Sequence, residues 1–157
     1  MTNTTNKHPE LQPKAAQLLE SCQSVIQIPV AWSEMNAAQH VSNTVYFQYF
    51  ESARVHFFDQ MDFAQHDETR EIGIVLASIS CKFRIPLVYP DNLSIGTRVC
   101  SIQEDRFTME HLVISHKHQK LAAEGEALIV TYNYKKLCKA PVPQLLIQRI
   151  TNISARG

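Results

Sequence analysis

Hydrophobic and polar positions divide this chain into one helical stretch and a run of strands. Between residues 43 and 61 the apolar side chains Val45, Tyr46, Tyr49, Phe50, Ala53, Phe57 and Met61 mostly recur at steps of three or four. That spacing puts them on one face of a helix, which at the standard rise is roughly 28 Å long. From Gly73 the period falls to two. Val75, Ala77, Ile79, Cys81, Phe83 and Ile85 alternate with Ile74, Leu76, Ser78, Ser80, Lys82 and Arg84. Tyr89-Pro90-Asp91-Asn92 predicts a turn, and Leu93, Ile95, Thr97 and Val99 carry the next strand. Glu104-Asp105 closes a hairpin, Phe107, Met109, His111 and Val113 alternate again, and His118-Gln119-Lys120 turns into a last long strand over 121–134. Consecutive strands on tight turns predict an antiparallel meander.

Upstream, residues 25–32 read as one more strand, with Pro29 pointing to an edge or a bulge. Pro13 suits the opening of a short helix. Residues 1–12 read as a loose tail and 62–72 as a loop. The meander needs a cover for its apolar face, and the helix over 43–61 is the only sizeable one. The expectation is an α+β fold with the helix laid on the sheet. The chain divides into a tail and short helix (1–22), a single domain (23–150) and a C-terminal tail (151–157).

Fifteen Lys and Arg balance fifteen Asp and Glu. Zero net charge argues against a global electrostatic grip on nucleic acid or on an anionic membrane. No apolar run approaches the ~20 residues of a membrane helix, and the polar N-terminus lacks a secretory core. The four cysteines, at 22, 81, 100 and 138, form no C-x-x-C pair and fit no zinc site. They read as reduced thiols of a cytoplasmic protein, with Cys81 and Cys100 as small buried hydrophobes.

Candidate chemistry concentrates before the helix. Ser42-Asn43 suits a helix start. The loop leading to it carries Asn36, Gln39 and His40. It places polar side chains beside free backbone N–H groups, an arrangement able to polarise a carbonyl. Residues Met35-Asn36-Ala37-Ala38-Gln39-His40-Val41-Ser42-Asn43-Thr44-Val45-Tyr46 and the following helix resemble the acyl-CoA thioesterases of the hotdog fold, in the 4-hydroxybenzoyl-CoA thioesterase-like family. Gln39, His40, Val41, Asn43, Tyr46, Glu51, Ala53 and Arg54 fit the family pattern. Ser42 replaces an Asn, and Asn36 stands where the family has its catalytic Asp. The resemblance extends over about residues 25–150. It takes in Phe83-x-x-Pro86, Tyr89-x-Asp91 and a Lys-rich end before Pro141-Val142-Pro143, where the family tends to finish in a short helix.

The resemblance implies a curved antiparallel sheet of five or six strands wrapped around one long central helix. It implies hydrolysis of acyl-CoA thioesters with no cofactor beyond the coenzyme A of the substrate and no metal. It also implies a homodimer or homotetramer with ligand sites at the subunit interface. Within it, the Asn43 N–H becomes an oxyanion donor and His40 a structural or gating residue. Glu51 becomes a base or nucleophile, or else the ion-pair partner of Arg54 at i, i+3. Asn36 orients a water or donates to a carbonyl, or else bonds its own loop. Glu34 is a replacement carboxylate if the loop turns it inward, and shares a face with Asn36 if residues 32–36 continue the strand; otherwise it is a solvated charge.

The acyl chain is expected beside Tyr46, Tyr49 and Phe50. Lys82 and Arg84, with Lys135 and Lys136, are expected on the coenzyme A phosphates, or else are ordinary edge-strand cations. His111, His116 and His118 lack a third ligand at metal spacing and read as solvated. The alternative function is a non-catalytic acyl-CoA or acyl-carrier thioester-binding module, favoured by the Asp-to-Asn departure. A hotdog dehydratase is disfavoured, because glycine occurs only at 73, 96, 125 and 157.

Overall fold

Small residues on the last long strand decide how the helix sits. The structure is a computed structural model that describes residues 9–63 and 71–156, with side chains to Ile153. Most of the expected N-terminal tail and of the loop at 62–72 falls outside the described residues. In chain order the elements are α1 (Pro13–Gln17), β1 (Ser24–Pro29), a 3-10 turn (Trp32–Glu34), α2 (Asn43–Gln60) and β2 (Ile72–Phe83). Then follow β3 (Asn92–Ile102), β4 (Arg106–Ser115), β5 (Lys120–Asn133), β6 (Cys138–Lys139) and α3 (Gln144–Arg156).

The strands form one antiparallel sheet in the order β1-β3-β4-β5-β2, with β6 on β5. The sheet curls around α2, an 18-residue helix, as the wrapped-helix expectation has it. β1 and β2 lie at opposite edges, so α2 carries the chain from one edge to the other. Pro29 closes edge strand β1, where its missing N–H disturbs no ladder. The strand does not reach residue 32. The Ala31 N–H donates to Glu34 Oε1 at 2.7 Å and turns the chain into the 3-10 segment.

Strict alternation over 75–85 does not hold either. The β2–β5 register shifts between Leu76 and Ser78. Such a bulge inserts one residue and moves the side chains beyond it to the other face. Ile74 therefore packs inward before the bulge, and Ile79 and Cys81 after it. α3 packs Leu146 and Ile150 on the core and runs on through 151–156, the segment set aside as a tail.

α2 buries Tyr46, Tyr49, Phe50 and Ala53 against Leu93, Ile95, Val113 and Ala123. One helical half further on, Phe57 and Phe58 meet Phe107, Met109 and Ala127. Ala123, Gly125 and Ala127 alternate along β5 beneath the helix, facing Val113, His111 and Met109 of β4. Small side chains there make room for the rings above. Phe50 lies flat over His111, with ring centroids 5.2 Å apart and planes 11° from parallel. A Cβ at Gly125 would come within 2.6 Å of the Phe50 ring. Phe50 is fully buried and has no room to retreat. We therefore expect Gly125→Ala to overpack this contact and lower stability by about 1–3 kcal/mol, read as a fall in the urea midpoint at unchanged m-value.

Candidate active site

The N-terminus of α2 is left open by its own cap. Ser42 occupies the cap position but makes no side-chain cap bond; its hydroxyl lies 3.2 Å from Thr44 Oγ1 instead. The first N–H groups of a helix have no intrahelical acceptor, so those of Asn43 and Thr44 remain available. The positive end of the helix dipole stands behind them.

The loop before the helix is tightly tied. Met35 and Val41 form a bridge, and the Asn36 N–H donates to the His40 carbonyl at 2.8 Å. Gln39 takes a left-handed φ of 63°, which lets the chain return. Val41 N–H donates to Leu87 O at 2.8 Å and Ser42 N–H to Glu34 O at 3.0 Å. Asn36 Oδ1 accepts from the Ala38 N–H at 2.9 Å and, weakly, from the His40 N–H at 3.4 Å. The side chain thus bonds its own loop, and its carbonyl end is committed there. Its amide end lies at the exposed surface.

Between this loop, the helix start and the end of β2 lies a cavity of about 250 Å³. His40, Asn43, Tyr46, Phe83 and Arg84 are among its walls, with Ile85 and Pro86 beyond them. Among the described residues no carboxylate lines it. Burial pushes the Tyr46 phenol up to about 12, so it stays protonated at neutral pH. Tyr49 and Phe50 lie beneath the surface and do not line the cavity. Tyr49 donates its hydroxyl to Glu34 Oε1 at 2.8 Å. Its pKa is raised by burial first and by that bond second. Glu34 is accordingly neither a strand residue facing with Asn36 nor a freely solvated charge. It is half-buried and holds the 3-10 turn to the helix.

Glu51 stands two turns further along α2, about 12 Å from Asn43 by helical rise. It lines a different cavity of about 120 Å³ with Arg54, Phe58 and Val75. Among the described residues no ion pair joins Glu51 to Arg54. Arg54 is buried, its Nη1 has no hydrogen-bond partner, and burial lowers its pKa. The expected cations are not brought together within one chain. Arg84 donates from Nε and Nη2 to Glu124 Oε2 at 2.9 and 2.6 Å. Lys82 shares a shallow site with Glu110, Glu124 and Glu126. Lys135 and Lys136 are exposed in the β5–β6 turn, their N–H groups donating to Asn133 Oδ1.

The histidines correct the solvated reading. His111 and His116 are both buried. His111 Nδ1 is 3.0 Å from Thr97 Oγ1, while its Nε2 has no partner. His116 donates from Nδ1 to the Pro9 carbonyl at 2.9 Å, leaving Nε2 to accept from Ser94 Oγ at 2.8 Å. Of these three, only His118 is exposed. Cys100 is exposed and Cys81 half-buried, and all four thiols are free. Among the described residues no three His, Cys, Asp or Glu side chains group as a metal site, and no helix is long and apolar enough to cross a membrane. Phe83 and Pro86, not among the expected site residues, do line the cavity; their signal was the Phe83-x-x-Pro86 spacing.

Comparison with known proteins gives a consistent result. The family model described as the thioesterase-like superfamily matches residues 30–150. A proposed esterase from Aquifex aeolicus (strain VF5) is 29% identical over 86 residues, 54% of this chain and 66% of that protein. The matched stretch therefore spans just under two thirds of that relative's length. A solved structure of a proposed thioesterase from Pseudomonas aeruginosa superposes with a TM-score of 0.74 at 26% identity, covering 82% of this chain and 98% of that one. A thioesterase from Thermus thermophilus, solved with coenzyme A and Zn, shares the fold at a TM-score of 0.75 and 23% identity, over 88% and 99% of the two chains.

The buried His111 makes a pH prediction. Burial first, then the neighbouring Arg54 charge, lowers its pKa from 6.5 to about 3. The unfolded chain therefore takes up this proton before the folded one does. Stability is full above about pH 6.5 and falls as pH drops toward about 3. Between pH 6.5 and 5.5, where most carboxylates stay ionised, the loss from this group should be about 1 kcal/mol. His111→Gln should flatten that slope in urea titrations across the same interval.

Proposed function

This chain belongs to the thioesterase-like superfamily, and on that footing we propose that it hydrolyses acyl-CoA thioesters to the free acid and coenzyme A. The observation that supports this most directly is the uncapped start of α2 opening into the cavity walled by His40, Asn43 and Tyr46. A thioester oxygen placed there meets the Asn43 N–H and the positive helix end. Those are fixed dipoles aimed at the charge that develops during attack. Water adds to the carbonyl carbon, forming the new C–O bond and an oxyanion. Collapse of that intermediate breaks the C–S bond. The thiolate leaves and takes up the proton the water gave to a base. Asn36 is not among the residues that line the cavity; from the adjoining loop its amide end orients the water but cannot accept the proton. Tyr46, still protonated, contributes a hydrogen bond and one wall of the acyl site.

The base comes from a second copy. β2 is a 12-residue edge strand paired on one side only, and its Val75 and Leu76 are 40% and 41% exposed. Such an edge is a template for another strand. Two copies joined antiparallel through β2 about a twofold axis lay the Phe83 end of one against the Ile72–Leu76 end of the other. The Glu51 cavity of one copy then faces the helix-start cavity of its partner. Catalysis in a homodimer, free-standing or within a tetramer, follows from this pairing. A second reading, an acyl-CoA or acyl-carrier binding module without turnover, has its own support: among the described residues no carboxylate lines the helix-start cavity of one chain.

Thiol release from a panel of acyl-CoAs separates the two. We expect weak wild-type hydrolysis, lowered by Glu51→Ala. Asn36→Asp should raise it, since Asp accepts the same Ala38 N–H and adds a base worth ~10²–10⁴-fold. No turnover in either protein despite calorimetric binding would establish the binding module. A robust wild-type rate that Asn36→Asp lowers would show the amide itself to be tuned for the reaction. Leu76→Glu on the β2 edge should yield a 17.9 kDa monomer in light scattering and lose turnover with the dimer. A wild-type monomer at micromolar concentration would remove the second-copy base.

A further inference from the structure

Coenzyme A carries a pyrophosphate and a 3′-phosphate, and a chain of zero net charge needs unengaged cations to hold them. Of the two cations expected at the end of β2, one is ion-paired and the other lies among carboxylates. Arg84 is locked to Glu124 by its two short contacts. Lys82 sits with Glu110, Glu124 and Glu126, more carboxylates than cations even with Arg84 counted. Such a site repels a phosphate. Lys135 and Lys136 follow Asn133, ten residues along β5 from the Ala123 that pairs with Phe83, on the order of 30 Å at strand rise.

A second cavity of about 260 Å³ abuts the first. It shares Ile85 and Pro86 with the helix-start cavity and ends at His118 and Lys120. We propose that the two cavities form one groove for the pantetheine arm and that Lys120, with His118, binds the coenzyme A phosphates. The proposal rests on the thioesterase reading and specifies where its substrate is held. Three features support it. Among the described residues neither Lys120 nor His118 has an ion-pair partner. The apolar Ile85-Pro86 step between the two cavities suits a neutral arm, while Lys120 and His118 stand at the far end.

The turn that carries them is also fixed in advance. Asp91 Oδ1 accepts the Lys117 N–H at 2.9 Å and the Asn92 N–H at 2.7 Å, and the Ser115 hydroxyl donates to the other carboxylate oxygen. Gln119 Nε2 donates to the His116 carbonyl at 2.7 Å, and the Gln12 N–H donates to Gln119 Oε1 at 2.7 Å. A turn held this way loses little freedom when an anion arrives, and that lowers the cost of binding. It also binds through charge-assisted contacts, which are the stronger kind.

Calorimetric titration with coenzyme A and with pantetheine, which lacks the phosphates, tests this. The wild-type protein should bind coenzyme A roughly ten- to hundred-fold more tightly than pantetheine, with affinity falling as salt rises. Lys120→Glu should bring coenzyme A down to the pantetheine level and flatten the salt dependence, leaving pantetheine unchanged. Lys136→Glu should bind like wild type. Lys120→Glu that keeps full coenzyme A affinity and salt response overturns the phosphate site while leaving the thioesterase reading intact. A loss in Lys136→Glu instead overturns it in favour of the other end of the sheet. A wild-type protein that binds neither molecule overturns both.

Discussion

The close approach of Phe50 to Gly125 is the contact on which the rest of the molecule depends. A helix with rings at 46, 49, 50, 57 and 58 cannot lie deep in a sheet whose facing side chains are also large. Ala123, Gly125 and Ala127 give up their own bulk so that the rings settle onto the backbone of β5 and onto the flat His111 ring. Full burial of a large apolar side chain contributes about 1.5–3 kcal/mol. Phe50, Phe57 and Phe58 all reach it. The seat fixes α2 along its length and so fixes where its first turn ends, at the gap between the loop over 35–41 and the end of β2. A functional site at a helix start needs that start held in place, and here the hold is a packing contact two turns away from the chemistry.

The same seat has polar consequences. Arg54 and His111 share the buried layer, and each keeps a nitrogen without a hydrogen-bond partner. Burial of that kind is costly, and it is tolerated beside one of the densest apolar contacts in the molecule. The loop solves the opposite problem. It satisfies most of its backbone N–H groups, through Leu87, Glu34 and its own Asn36. The N–H groups of Asn43 and Thr44, at the helix start, stay open toward the cavity. What the site can do is set by those unsatisfied donors more than by any side chain in the loop.

The sequence made the periodic parts of the fold legible and hid the parts that depend on partners far along the chain. α2 and the meander were visible because their spacing repeats over many residues. The bulge at Leu76–Ser78 was not, because a single inserted residue leaves a plausible alternation on either side of it. His40, Asn43 and Tyr46 were found through motif resemblance, and all three line the cavity. Glu51 belongs to the same motif yet lines another cavity, since two helical turns of rise do not show in a one-dimensional pattern. The burial of His116 depends on a carbonyl 107 residues away, and the capture of Arg84 depends on a carboxylate 40 residues away. Neither pairing leaves any local trace.

The open edge of β2 and the missing carboxylate are one incompleteness seen twice. Natural edge strands are guarded by charges, prolines, bulges or short length. β2 has a bulge and Lys82, but it is long, it has no proline, and Val75 and Leu76 stand exposed next to the bulge. A lone chain would carry this as an aggregation hazard. A twofold partner removes the hazard by pairing like with like, since an antiparallel strand is its own complement. In the proposed pairing the same operation would reverse the direction of α2 relative to its neighbour and set the helix-start cavity of one copy against the Glu51 cavity of the other. On that proposal the open edge and the cavity without a carboxylate call for the same symmetry operator. In the proposed dimer, assembly and hydrolysis therefore become a single structural requirement.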